Sequence, residues 1–297
     1  MKNRTPLTPA PGKAGPRTAA RRLAVLASVG VLLAGLTACS AQADGADGGQ
    51  AATPPAGSGT DSRLESIKAE GVLRVCTTGD YRPFTYLDPD SGEWSGIDVD
   101  MVRDLADRLE VEPEFVQTTW KDLMPDFLAG CDIGVGGVSI SLARAEQAFY
   151  SDPVLTEGKT PITLCGKEEL YDTVEEINQP GVRSIMPIGG TNEVFAEEHY
   201  PNGELIKFED NNTIFDEIVA GRADVMTTDA SETRWVANEY PELCAVHPDD
   251  PFNFSQKAYL LPLGDTVFQD YVNQWLVMAE ADGTYDAAKE TWWGSEG

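Results

Sequence analysis

The chain has 297 residues, of which 22 are basic and 49 acidic, for a net charge of −27. An acidic excess of this size repels nucleic acid and anionic lipid surfaces, which argues against both as partners of the folded part. With two histidines, His199 and His247, and no Cys-x-x-Cys pair, a metal site has little to build on, and no cofactor is expected.

Residues 1–38 carry Lys2, Arg4, Lys13, Arg17, Arg21 and Arg22 and no acid. The apolar run Leu23–Leu36 is about 14 residues long, short of the roughly 20 that span a bilayer, and predicts the core of a signal peptide. It ends in Leu36-Thr37-Ala38-Cys39, which is similar to the bacterial lipobox. That likeness implies cleavage before a lipidated Cys39 and an extracytoplasmic protein anchored to the cell membrane. Residues 40–60, rich in Ala, Gly, Pro, Asp and Gln, predict a flexible tether of roughly 25 Å r.m.s. span. Without the six leader bases, 16 basic residues face 49 acidic ones, a net charge of −33. Such a surface slows a dianionic ligand unless cations line the cleft.

About 237 residues follow the tether, enough for one large or two modest cores. Val72–Thr77 predicts a strand, with β-branched residues bounded by Gly71 and Gly79. Asp98–Leu109 sets Val99, Val102, Leu105, Ala106 and Leu109 on one helical stripe. Phe115–Thr118 reads as a second strand, Leu123–Leu128 as a short helix and Cys131–Ile140 as a glycine-rich third strand. This β-α-β-α-β order implies a parallel sheet covered by helices, with ligands beyond the strands' C-terminal ends. The chain then crosses at Val154–Thr163. Strands Gly181–Met186 and Ala223–Thr228 follow, with helical stretches at Asn192–His199 and Thr213–Ala220. It returns through Lys257–Leu263, and Asp265–Trp293 has helical periodicity. The expected α/β fold has two lobes, each a mainly parallel sheet flanked by helices, joined by two hinge crossings. Residues 61–156 and 257–297 would form lobe 1, and residues 157–256 lobe 2.

Four cysteines remain besides Cys39, and outside the cytoplasm a disulfide is permitted. Cys165 closes the strand-like run Pro161–Cys165 and Cys244 sits inside another, Glu242–Val246. These two are expected to pair, with Cys76 and Cys131 as buried free thiols. In Thr227-Thr228-Asp229-Ala230-Ser231-Glu232 the two acids are spaced i, i+3, on one face of a helix that starts there. One acid in a solute-binding cleft can hold an amino group. A second, if still protonated near pH 7, can expel a hydroxyl as water.

Gly96-Ile-Asp-Val-Asp-Met101, followed by Leu105-Ala106, resembles the signature of the extracellular solute-binding proteins of polar amino-acid transporters, family 3. Those proteins have the two-lobed type II periplasmic-binding fold. Asp80-Tyr81-Arg82-Pro83-Phe84 and Gly137-Val-Ser-Ile-Ser-Leu-Ala-Arg144 resemble the family's two ligand loops of lobe 1, which makes Asp80 a candidate site residue. The resemblance implies that Phe84 walls the ligand and that Ser139 and Arg144 hold its α-carboxylate. A guanidinium fork suits that duty, because it binds a carboxylate bidentately.

A narrower resemblance rests on Thr77–Tyr81, Gly158–Cys165, Gly189–Glu193, Thr227–Glu232 and Pro241–Pro248 together. These runs are similar to the cyclohexadienyl dehydratase family, which turns prephenate or arogenate into phenylpyruvate or phenylalanine. It implies Glu232 as general acid, Trp120 as a cleft aromatic, Asn192 as a polar neighbour, and backbone N–H groups near Thr191 on a carboxylate. To keep its proton near pH 7, Glu232 must titrate well above about 4.3, and burial beside Trp120 and the Asp229 charge act in that direction. Glu193 is a second candidate acid, although its place at a helix N-terminus favours the charged form and a capping duty. The Gly189-Gly190-Thr191-Asn192 turn is an expected anion nest. One departure stands out: the family's Asn-Pro before the double glycine is Pro187-Ile188 here. Three outcomes stay open: lowered activity, a changed substrate preference, or the lost amide's role taken over by Asn192 or a water. Two functions stay open. One is a dehydratase. The other is a lipid-anchored receptor delivering an amino acid, or another small carboxylate, to an ABC permease, with Asp229 favouring an amine-bearing ligand.

Overall fold

The computed structural model describes residues 62–293. The signal peptide, Cys39 and the tether lie outside the described residues. Strand Val72–Thr77 is inside the first sheet because its side chains, from Leu73 through Thr77, are mostly buried. It pairs in parallel with Glu112–Gln117 on one side and with Ile133–Gly134 on the other. Leu260–Pro262 then adds antiparallel, followed by Ala148–Tyr150. The second sheet repeats the plan in the order Glu204–Phe208, Arg183–Pro187, Val225–Asp229, Lys159–Leu164, Leu243–Ala245. Its first three strands are parallel and the last two antiparallel. Each sheet is thus mixed: crossover helices link the parallel strands, and chain segments near the crossings complete the edge. The crossings themselves, Leu155–Glu157 and Ser255–Lys257, pair as a two-stranded antiparallel ribbon.

Helix Ile97–Leu109 buries the expected stripe, with Ile97 and Met101 added to it, against the first sheet. The second sheet has its own core, in which Ile162, Ile185, Phe215, Met226 and Val236 meet. The C-terminal helical stretch is two helices, Thr266–Ala281 and Thr284–Trp292. They part at Gly283, whose φ of +85° is open to glycine at little cost. No helix among the described residues is long and apolar enough to cross a membrane.

The expected strand Cys131–Ile140 is extended only at Ile133–Gly134. Beyond it the chain turns away, because buried Asp98 accepts hydrogen bonds from the backbone N–H of both Gly136 (2.9 Å) and Gly137 (2.8 Å). A Cβ on Gly137 would come within 2.6 Å of Phe84 and 2.9 Å of Tyr81. The turn delivers Ser139 to the inter-sheet cleft.

Cys165 and Cys244 form a disulfide between neighbouring strands. Cys76 and Cys131, expected as free thiols, are bonded as well, with Cα atoms 5.8 Å apart. The reason is tertiary. Cys131 ends helix Leu123–Gly130 just before strand Ile133–Gly134, and that strand pairs with Cys76 opposite Gly134. Because this bond closes a loop of 55 residues, replacing both cysteines by alanine is expected to cost about 2–4 kcal/mol in urea denaturation. A loss below about 1 kcal/mol would refute that contribution.

Candidate active site

All five residues of strand Val225–Asp229 are buried, and the strand runs directly into helix Ala230–Glu239. Asp229 and Glu232 are each only 2% exposed, so both acids must find partners or give up their charge. Asp229 finds partners. Its Oδ1 lies 2.9 Å from Lys159 Nζ, and its Oδ2 accepts from Lys257 Nζ and from the Tyr81 hydroxyl. Burial alone would raise its pKa, but the two lysines outweigh burial and hold the carboxyl well below its usual range. Both lysines are buried: Lys257 also donates to Ser139 Oγ (2.8 Å), and Lys159 to Thr191 Oγ1 (3.0 Å) and to Asn192 Oδ1. Glu157 stands 3.7 Å from Lys257 and accepts from the Ser231 N–H (2.7 Å) and hydroxyl (3.1 Å), which caps the helix start. The crossing segments therefore carry Glu157 and Lys257, and the adjacent strand Lys159–Leu164 sets Lys159 directly opposite Asp229.

Glu232 has no ion-pair partner among the described residues. Its Oε2 accepts from Thr228 Oγ1 at 2.5 Å. Burial pushes its pKa up to about 8; the Thr228 hydrogen bond and, as a lesser contribution, the nearby Lys159 charge oppose that, and the Asp229 and Asp80 charges reinforce it. At neutral pH it is mainly a protonated acid. Asp80 shares a small hollow with Glu232, Arg82, Asn211 and Trp235. Burial raises the Asp80 pKa too, and its Oδ1 has no hydrogen-bond partner among the described residues.

Tyr81, Trp120, Ser139, Thr191, Asn192, Asp229 and Lys257 line one cavity between the sheets. It encloses about 10 Å³, room for about one water, so a substituted ring enters only if the two sheets move apart. The double glycine makes so close an approach possible: a Cβ on Gly189, at φ +90°, would lie 2.5 Å from the Lys121 backbone. Tyr81 meets Trp120 edge to face, with ring centroids 5.3 Å apart. Pro187 lines the same cavity and offers it no donor, while Asn192 points its amide into the polar cluster.

The structure thus gathers Ser139, Trp120, Thr191, Asn192 and Asp229 around one space, while Glu232 and Asp80 line a separate hollow, Glu232 being joined to Asn192 through Thr228. Arg144 does not line that space; its guanidinium donates to the Ser139 carbonyl at 3.1 Å and props the loop from behind. Phe84 lies behind Tyr81, stacked at 5.9 Å, so Tyr81 is the wall. Glu193 accepts from the Gly189 N–H and pairs with Lys207 at 2.5 Å. Slight burial raises its pKa, but Lys207 and the Gly189 N–H hold the carboxyl below its usual range, so its duty is the turn. Asp229 is ion-paired with both lysines, although its Oδ1 accepts no aligned hydrogen bond among the described residues. Lys159, Lys257, Tyr81 and Thr228 escaped sequence reasoning. A signal existed for the lysines, since in a chain this poor in bases both sit in apolar, strand-like runs at the crossings.

Residues 73–295 match the family model of bacterial extracellular solute-binding proteins, family 3. The chain belongs to this family. Within it, the chain is 49% identical over 233 residues to the cyclohexadienyl dehydratase of Pseudomonas aeruginosa PAO1, covering 78% of this chain and 86% of that protein. It is 26% identical over 223 residues to the histidine-binding periplasmic protein of Escherichia coli K12, covering 72% and 84%. Among solved structures it is similar to an ancestral amino acid-binding protein described as a precursor of cyclohexadienyl dehydratase. That match has a TM-score of 0.72 and 34% identity, over 78% of this chain and 100% of the other. The chain is therefore similar both to a cyclohexadienyl dehydratase and to amino-acid-binding proteins.

Proposed function

We propose that this family 3 protein is an extracytoplasmic cyclohexadienyl dehydratase that uses Glu232 as its general acid. The observation that carries the reading is Glu232 itself, a buried carboxyl with a pKa of about 8, joined through Thr228 to Asn192 of the cavity wall. A receptor has no use for a held proton; a dehydratase needs one to make hydroxide leave as water. The substrate's ring carboxylate departs as CO2 and its electron pair enters the ring. The C4–O bond breaks as Glu232 protonates the leaving oxygen. Prephenate dianion plus one proton then gives phenylpyruvate anion, CO2 and water, with no cofactor in the balance.

Lys159 and Lys257, with the Ser139 and Thr191 hydroxyls they hold, supply local positive charge and donors for the substrate carboxylates. They offset the repulsion of a dianion by the acidic surface. Both oxygens of Asp229 are already met by lysines, which favours the keto acid prephenate over the amine arogenate. Trp120 and Tyr81 flank the ring, and closure of the sheets excludes water. Two disulfides suit an oxidising compartment, in keeping with export and with lipidation at Cys39.

The test is to incubate the protein without its leader with prephenate and to follow phenylpyruvate absorbance in alkali. Turnover well above the spontaneous rate is expected, faster than with arogenate. No turnover, together with tight calorimetric binding of a standard amino acid, would overturn the reading in favour of a receptor serving an ABC permease.

A further inference from the structure

We propose that Thr228 is a positioning residue that decides which oxygen of Glu232 carries the acidic proton, and that Lys159 imposes the choice through Asn192. Its catalytic consequence rests on the dehydratase reading; its geometry does not. An ammonium group has hydrogens to give and no lone pair to accept with. Lys159 Nζ lies against Asn192 Oδ1, so the amide oxygen faces the lysine and the NH2 faces the other way. That NH2 donates to Thr228 Oγ1 at 2.9 Å. Glu232 Oε2, 2.5 Å away, is the acceptor within reach of the Thr228 hydroxyl among the described residues, so its hydrogen is directed there.

An oxygen that receives this hydrogen bond is a poor seat for a proton. The acidic hydrogen therefore sits on Oε1, which has no hydrogen-bond partner among the described residues and is free to meet the leaving hydroxyl. Lys159, Asn192, Thr228 and Glu232 are all buried, at 4% exposure or less, so bulk water does not compete to reverse the chain. The Asp229 carboxylate 2.9 Å from Lys159 Nζ favours the ammonium form on which the direction depends. In the reaction the Oε1–H bond breaks, the proton joins the departing oxygen, and water leaves. Thr228 goes on donating to Oε2 and stabilises the carboxylate that remains.

Three variants separate this role from packing. Thr228→Val keeps the shape and removes the donor. Its kcat on prephenate is expected to fall roughly 10- to 100-fold with KM within about threefold, the size of losing one hydrogen bond to a developing charge. Its basic limb should move to higher pH, since Thr228 favours the Glu232 anion. The charged and titratable groups around Glu232 are Asp229 on its own chain turn, Lys159 on the adjacent strand, Asp80, Tyr81 and Arg82 from the segment after Gly79, and Tyr240 at the end of its own helix. All of them stay in place. Thr228→Ser restores the donor and should recover most of the rate. Asn192→Asp is isosteric but accepts on both oxygens, so it draws the Thr228 hydrogen away from Glu232. It should lose rate and raise the basic limb as Thr228→Val does.

A Thr228→Val plateau within about twofold of wild type with an unmoved limb would overturn the proposal. So would full activity in Asn192→Asp, which also serves if the valine variant fails to fold. Infrared titration of the protonated carboxyl band, assigned by its loss in Glu232→Gln, needs no turnover. An upward shift of its midpoint in Thr228→Val upholds the hydrogen-bond chain even if prephenate is not a substrate. An unshifted midpoint rejects the chain whether or not the protein is a dehydratase.

Discussion

Glu232→Gln is expected to lower kcat on prephenate by roughly 10²- to 10⁴-fold while leaving KM within a few-fold, because the amide keeps the shape and has no proton to give. If Glu232 is the general acid, as proposed, the acid form is the active one, so kcat should be flat at neutral pH and fall above about 8. The same residue makes a stability prediction with a definite sign. Its folded pKa is raised, so the folded state binds a proton that the unfolded state releases from about pH 4.3 upward. The stability associated with Glu232 is therefore fully present below that pH, is lost as pH rises toward 8, and is constant above. Glutamine has no such loss. The variant should match the wild type near pH 4 and exceed it at pH 8 by on the order of 3–5 kcal/mol. Thermal or urea melts across that range measure it. Parallel stability curves would rule out a buried, proton-holding Glu232, and an unaffected rate would remove it as the acid.

Asp229→Asn should have the largest effect on folding. The carboxylate is the anion between two buried ammonium groups, and its loss leaves Lys159 and Lys257 without that charge, with Glu157 3.7 Å away as what remains for Lys257. Removing one member of a buried ion cluster costs about 3–5 kcal/mol, because the charges left behind stay desolvated. Urea denaturation at pH 7 should show a loss of that size; a change under about 1 kcal/mol would mean that the lysines shed their charge or reach water. The Asp229 pKa is depressed, so its contribution is present above about pH 3.9 and is lost as pH falls below that. The gap between variant and wild type should therefore narrow only in strong acid. The Asp229 charge also helps raise the Glu232 pKa. Any activity retained by the variant should show its basic limb at lower pH, opposite to the shift expected for Thr228→Val.

The sequence by itself determined the parts whose cause is local. Helix Ile97–Leu109 follows from the spacing of Val99, Val102, Leu105 and Ala106, and strand Val72–Thr77 from β-branched residues between two glycines. The mixed order of strand and helix signals carried the two-sheet plan, and the i, i+3 spacing put Asp229 and Glu232 on one turn. Only the tertiary structure decided what those acids are. Lys159 reaches Asp229 because the two stand opposite each other on antiparallel strands, and Lys257 because its crossing strand pairs with Leu155–Glu157; no pattern along the chain states either pairing. Cys76 meets Cys131 through strand register for the same reason. The Glu193 reading as a turn residue was local and visible; the position of Arg144 behind Ser139 depended on how the loop after Asp98 turns. Two acids three residues apart look alike in a sequence. Burial against two cations makes one a fixed anion, and burial without an ion-pair partner among the described residues lets the other keep its proton, because a charge's cost depends on what the fold brings beside it.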